Sequence, residues 1–174
     1  MRIQTWHTYQ VFPPSNYHFF KKMAYRLIIF LLINFAALAL GSMFTGKGVP
    51  SEWYINLNKA PWTPPGWVFG AAWTTIMVCL AVYMAYAWRS IPDRKLLIGL
   101  FALQWVLNVL WNPVFFAMHQ VAVGLIVISL LTVLVGYFLI GWFPYLKAKA
   151  LLVLPYFVWL LIATSLNAYI LLKN

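Results

Sequence analysis

The side chains able to do acid–base or metal chemistry are few. The 174 residues contain two carboxylates, Glu52 and Asp93, and three histidines, His7, His18 and His119. The histidines have no metal-ligand spacing, so no metal site is expected. The single cysteine, Cys79, lies in an apolar run and forms neither an intramolecular disulfide nor a cysteine-based metal centre. No phosphate-binding glycine loop is present. What the chain offers instead is aromatic and amide chemistry, with ten Trp, ten Tyr and thirteen Phe. An interfacial belt accounts for many of these rings, among them Trp88, Trp142 and Tyr145 at helix ends. It does not account for Trp73, Trp111 and Trp159, which lie well inside charge-free stretches.

Helical spacing gives the remaining groups faces. Gln104, Asn108, Trp111 and Phe115 recur at i, i+4, i+7 and i+11. Tyr156, Trp159, Ala163 and Asn167 recur at i, i+3, i+7 and i+11, and Phe69, Trp73, Ile76 and Leu80 share a third face. An inward face that joins aromatic rings to a few amides is the make-up of an apolar ligand pocket with a few polar groups. The competing reading of the amides is interhelical glue, worth about 0.6–2 kcal/mol per bond. Amides at membrane depth need partners, so both readings turn these stripes inward.

The elements that carry the stripes follow from charge. Hydrophobic residues make up 64% of the chain and charged residues 8%, far below the roughly 25% of a soluble domain. No Asp, Glu, Lys or Arg lies between Arg26 and Lys47, Lys59 and Arg89, Lys95 and Lys147, or Lys149 and Lys173. A span needs about 20 residues. The longest of these intervals holds two spans, broken near Met118-His119-Gln120. The fold class expected is therefore an all-α integral membrane bundle of five transmembrane helices, at about 25–45, 66–88, 96–117, 121–143 and 149–172. Pro113 should bend or end the third, and Pro155 falls in the early turns of the fifth. Gly66 and Gly70 form a small-xxx-small pair expected to pack inside the bundle. Residues 1–23 are expected to be a disordered extension, because Pro13-Pro14 argues against a continuous helix there. Residues 24–174 form the transmembrane domain.

The net charge of +10 does not indicate nucleic acid, because the cations flank apolar spans. Nine of the twelve Lys and Arg (Arg2, Lys21, Lys22, Arg26, Arg89, Arg94, Lys95, Lys147, Lys149) fall on one side of a five-span topology. Lys47, Lys59 and Lys173 fall on the other. The positive-inside rule then puts the N-terminus in the cytoplasm and the long first loop outside, for a bacterial plasma membrane. No ionisable residue occupies a helix centre, which disfavours an ion-coupled pump.

Several separated motifs resemble those of the translocator protein, or tryptophan-rich sensory protein, family. Trp53-Tyr54, Leu57, Lys59, Trp62, Pro64-Pro65 and Trp73 look like its first-loop and second-helix signature. Gln104, Asn108, Trp111 and Phe115-Phe116 are similar to its third-helix pattern. Pro155-Tyr156, Trp159, Ala163, Leu166-Asn167 and Asn174 are similar to its fifth. The sequence departs from the family at Met77, where Tyr is common. It departs again at Gly99 and Ala102, whose spacing is not that of the family's dimer motif.

The resemblance implies five packed helices with the first loop folded over a pocket. It implies a receptor or sensor for porphyrins, with protoporphyrin IX or haem as ligand and no obligatory cofactor, and extends to sterols and benzodiazepine-type compounds. The partners it implies are the lipid bilayer, these ligands and a second copy of the chain. The binding residues it implies are Trp53, Tyr54, Pro64, Phe69, Trp73, Gln104, Asn108, Trp111, Phe115, Trp159, Ala163, Leu166 and Asn167, with Lys47 or Lys59 meeting a propionate at the rim. Two alternatives stand beside it. One is an enzyme that degrades porphyrin in light through Trp53 and Trp73. The other is a transporter of porphyrin or lipid.

Overall fold

The structure, a computed structural model, describes residues 14–174, with side chains from residue 20 onward. Its elements are α1 (Pro14–Gly48), α2 (Glu52–Asn56), α3 (Gly66–Ser90) and α4 (Arg94–Asn112), then a π-helical turn (Pro113–Ala117). After these come α5 (Val121–Ile140), α6 (Phe143–Leu146), a 3-10 segment (Lys147–Val153) and α7 (Leu154–Lys173). Five stretches are long and apolar enough to cross a membrane: Phe20–Gly48, Gly66–Ser90, Arg94–Ala117, Val121–Ile140 and Phe143–Lys173. Helix α1 packs on α3 and α4, α5 packs on α4 and α7, and α3 closes the ring against the 3-10 segment and α7.

Several boundaries differ from the sequence expectation, each for a local reason. Helix α1 starts at Pro14, so the expected disordered extension is helical from there onward. Proline is compatible with a helix's first turn, where its missing N–H costs nothing. Residues 1–13 of that extension lie outside the described residues. Pro113 widens the helix rather than ending it. The Met118 N–H bonds back five residues to the Pro113 carbonyl at 2.9 Å, as in a π-turn. The extra residue lets Val114, Phe115 and Phe116 all be buried in succession. The fifth span is not one α-helix, because the 3-10 segment precedes Pro155 and α7 begins at Leu154.

Two packing expectations are corrected. Trp142 is not an interfacial ring. It is 2% exposed and stacks on Phe138, with ring centroids 4.7 Å apart, and beside Tyr83. Tyr83 donates to the Phe138 carbonyl at 2.6 Å, which satisfies an acceptor in the last turns of α5 where intrahelical donors run out. Gly66 and Gly70 do not pack inside the bundle; a Cβ on either would meet no atom within 4 Å. The close approach is made elsewhere, by Gly41 against Asn112 and Gly48 against Phe116, which seat α1 on the π-turn. The buried Asn34 acts as glue, donating to the Met77 carbonyl at 3.1 Å.

Candidate functional site

The first loop is tied to the C-terminal end of α7. The Asn58 backbone N–H donates to Asn174 Oδ1 at 2.9 Å and its side-chain amide donates to the Lys173 carbonyl at 3.1 Å. Trp62 Nε1 donates to Ser165 Oγ at 3.2 Å, and its ring meets Tyr169 edge-on. Within the loop, Ser51 caps α2 by accepting from the Tyr54 N–H. This short helix sets Trp53 and Tyr54 over the end of the bundle. Trp53 packs edge-on against Phe115 at 5.5 Å and stacks on His119 at 4.1 Å with the rings 14° apart. His119 reaches that position from a left-handed backbone, φ 54°. Tyr54 lies against Phe116 at 5.5 Å, with Lys59 Nζ 4.8 Å from its ring centre. Burial raises the Tyr54 pKa, so its phenol stays neutral at physiological pH.

Beneath this cap the walls are aromatic. Trp111 stacks on Phe115 at 5.0 Å, Phe69 meets Trp159 edge-on at 5.1 Å, and Trp73 meets Tyr156 edge-on at 6.0 Å. Trp111 Nε1 donates to Asn167 Oδ1 at 3.1 Å, and Asn167 donates onward to the Val121 carbonyl at 2.9 Å. Gly124 on α5 makes room for this pair, since a Cβ there would lie 3.2 Å from Asn167 Oδ1. Trp53, Tyr54, Phe69, Trp73 and Trp111 are all half-buried.

The deeper end is polar. Gln104 Nε2 donates to the Tyr156 hydroxyl at 3.0 Å, and that hydroxyl donates to Asn108 Oδ1 at 3.2 Å. All three residues are buried. Among the described residues, Gln104 Oε1 is the one fully buried side-chain polar atom without a partner. An acceptor left unpaired in this way costs about 1–3 kcal/mol.

Of the residues expected at the site, Trp53 and Phe115 pair at the cap, and Trp111 and Asn167 on one wall. Phe69 and Trp159 pair on another, while Gln104 and Asn108 are linked through Tyr156. Ala163 is half-buried against the core, and Pro64 and Leu166 are half-buried. Lys59 lies at the rim, whereas Lys47 is exposed. Three participants were not singled out as binding residues. Tyr156 was on the α7 stripe already, and its hydroxyl at membrane depth was the available signal. His119 sits at the break between two spans, and Gly124 is the small residue facing the aromatic stripe. Among the described residues no group of three or more His, Cys, Asp or Glu could hold a metal ion.

A five-span α-helical membrane protein with a capped, tryptophan-lined interior is the class that fold and site define. Residues 29–172 match the TspO/MBR family, and the chain belongs to that family. It is 35% identical over 118 residues to a tryptophan-rich sensory protein of Cereibacter sphaeroides, covering 68% of this chain and 74% of that one. It is 34% identical over 154 residues to the tryptophan-rich protein TspO of Archaeoglobus fulgidus, covering 88% and 97%. It is 30% identical over 132 residues to the human translocator protein, covering 73% and 77%.

Proposed function

We propose that this chain is a membrane receptor or sensor that binds porphyrins, such as protoporphyrin IX and haem-related tetrapyrroles, between its helices, with sterols or benzodiazepine-type compounds as further ligands. The observation that supports the reading is two aromatic groups, Trp53 and Trp111 packed on Phe115 and Phe69 on Trp159 with Trp73 against Tyr156, in a bundle whose first loop is tied down at Asn174. A porphyrin is a flat apolar ring with anionic propionates. Stacked and edge-on indoles suit the ring, and Lys59 at the rim suits a propionate. Relatives named sensory and translocator proteins agree with a binding role.

Adding protoporphyrin IX to the detergent-solubilised protein is expected to quench Trp fluorescence saturably. Trp73→Ala should weaken the affinity about three- to tenfold, the equivalent of one lost aromatic pair. Quenching that never saturates, or an unchanged affinity in Trp73→Ala, would remove the site from consideration. Repeating the titration under light separates binding from the photochemical alternative. Porphyrin loss above a detergent blank, slowed by Trp53→Phe or Trp73→Phe, would favour an enzyme.

The bundle end bearing the Arg89–Lys95 loop and Lys147–Lys149 is proposed to face the cytoplasm, on the nine-to-three distribution of cations. There Arg94 lies over Trp88 and Lys149 over Tyr86, an arrangement suited to the membrane interface. In a Cys79→Ser background, Ser51→Cys is expected to react with an impermeant maleimide on intact cells and Ser90→Cys to be silent. The reverse pattern would invert the orientation.

A further inference from the structure

The hydrogen bonds at the deep end of the site run in one direction, from Gln104 Nε2 to the Tyr156 hydroxyl and from that hydroxyl to Asn108 Oδ1. The chain therefore ends on an acceptor with nothing to accept, Gln104 Oε1. Gln104 is 2% exposed and Tyr156 1% exposed, so bulk water does not serve this atom. Membrane interiors supply no substitute donor, and an unpaired polar group there is among the costliest features a helix bundle can carry. Interhelical glue does not explain it, because glue is complete once both ends are bonded. The Trp111–Asn167–Val121 chain in the same site is complete in that sense. The chain adjoins an aromatic wall, since Trp73 meets the Tyr156 ring edge-on.

We propose that Gln104 Oε1, held in position by Tyr156 and Asn108, is the specificity determinant of the interior site. It selects a flat or polycyclic apolar ligand that carries a hydroxyl or N–H donor at the end inserted first; a porphyrin held by its propionates at the rim brings no donor to this end and does not engage it. Tyr156 is a positioning residue in this scheme: its hydroxyl takes up the Gln104 amide donor, so the carbonyl oxygen is the atom left for the ligand. A ligand with only acceptors at its leading end would place a second acceptor against Oε1 and be rejected. The inference rests on the reading above in one respect only, that a ligand occupies the interior.

The probes are 1-pyrenemethanol and its methyl ether, which share a flat aromatic body and differ in one O–H donor. Their affinities for the full-length protein in detergent are read from pyrene fluorescence, corrected for partition into empty micelles. Wild type should prefer the alcohol by about tenfold, the scale of one buried hydrogen bond set against an unmade one. Gln104→Leu should abolish that preference. It should also unfold no earlier than wild type, because it removes an orphaned acceptor. Equal affinities for the two probes in wild type, or a preference for the ether, would overturn the proposal; a buried water satisfying Oε1 gives the first of these results. A Gln104→Leu protein that is destabilised and loses both probes equally assigns the residue to glue and overturns it too. If that variant does not fold, Gln104→Met carries the same comparison, and the wild-type alcohol-to-ether ratio decides alone. Failure of protoporphyrin IX to quench saturably, with the alcohol preference intact, counts against the porphyrin reading and not against this one.

Discussion

Trp142→Ala is expected to destabilise the bundle by about 3–5 kcal/mol, the range for truncating a buried aromatic. The measurement is the unfolding midpoint when SDS is titrated into protein held in a mild detergent. The indole is 2% exposed and lies in a stack with Phe138 and Tyr83, and Tyr137 meets it edge-on at 5.8 Å. Removing it leaves a void among rings that hold the end of α5 to α3. It also loosens the Tyr83 hydroxyl on the Phe138 carbonyl, so two interactions are lost together. Trp142→Phe keeps a stackable ring and should cost no more than about 1.5 kcal/mol. Trp67, 75% exposed, supplies the contrast: Trp67→Ala should change the midpoint by under about 0.5 kcal/mol. Porphyrin affinity should survive Trp142→Phe, because the stack lies at the opposite end of the bundle from Trp53 and His119. A Trp142→Ala protein as robust as Trp67→Ala would return this ring to the interfacial belt.

That ring also shows where sequence reading runs out. Charge-free intervals located five spans because charge is expensive in lipid whatever surrounds it, and all five are present. Periodicity placed Gln104, Asn108, Trp111, Trp159 and Asn167 on inward faces because spacing alone fixes which side chains share a helix side. Periodicity does not record how deeply an end residue is covered. Trp142 follows α5, and only the tight return through α6 and the 3-10 segment, brought close by Lys147 at φ 54°, packs it against α3. The same limit applied to glycines. Gly66 and Gly70 carry the small-xxx-small spacing yet face open space, while Gly41 and Gly48 make the close contacts. Spacing names a stripe; only the neighbour on that side decides whether the stripe is used. The direction of the Gln104–Tyr156–Asn108 chain was out of reach for a further reason. It depends on which amide atom meets the phenol, and no pattern of residue types encodes that.

Gly124→Leu is expected to lower protoporphyrin IX affinity by roughly ten- to a hundredfold while leaving the bundle folded. A Cβ at this position would stand 3.2 Å from Asn167 Oδ1, 3.5 Å from the Phe115 ring and 3.6 Å from Trp111 Nε1. The first of these is tight, so Asn167 must give by a few tenths of an ångström. The rest of a leucine side chain adds bulk beside both partners of the 3.1 Å Trp111–Asn167 bond and is expected to break it. Breaking it leaves an indole N–H and an amide oxygen unpaired at membrane depth, at about 1–3 kcal/mol each if neither finds a new partner. Rotation of Trp111 to recover a partner would carry it out of its stack on Phe115 and away from the ring on which Trp53 rests. One added side chain on α5 therefore disturbs a wall and the cap together. Helix formation partly opposes the damage, since glycine is disfavoured within a helix by roughly 0.8–1 kcal/mol relative to alanine and leucine is close to alanine. The unfolding midpoint should fall too, so affinities are compared in detergent where both proteins are folded. Gly70→Leu is the matched control, because its added side chain points into open space and should leave porphyrin affinity unchanged. Fluorescence titration of the two variants beside wild type settles the matter: Gly124→Leu binding porphyrin as wild type does would mean that the Trp111–Asn167 wall is no part of the binding site.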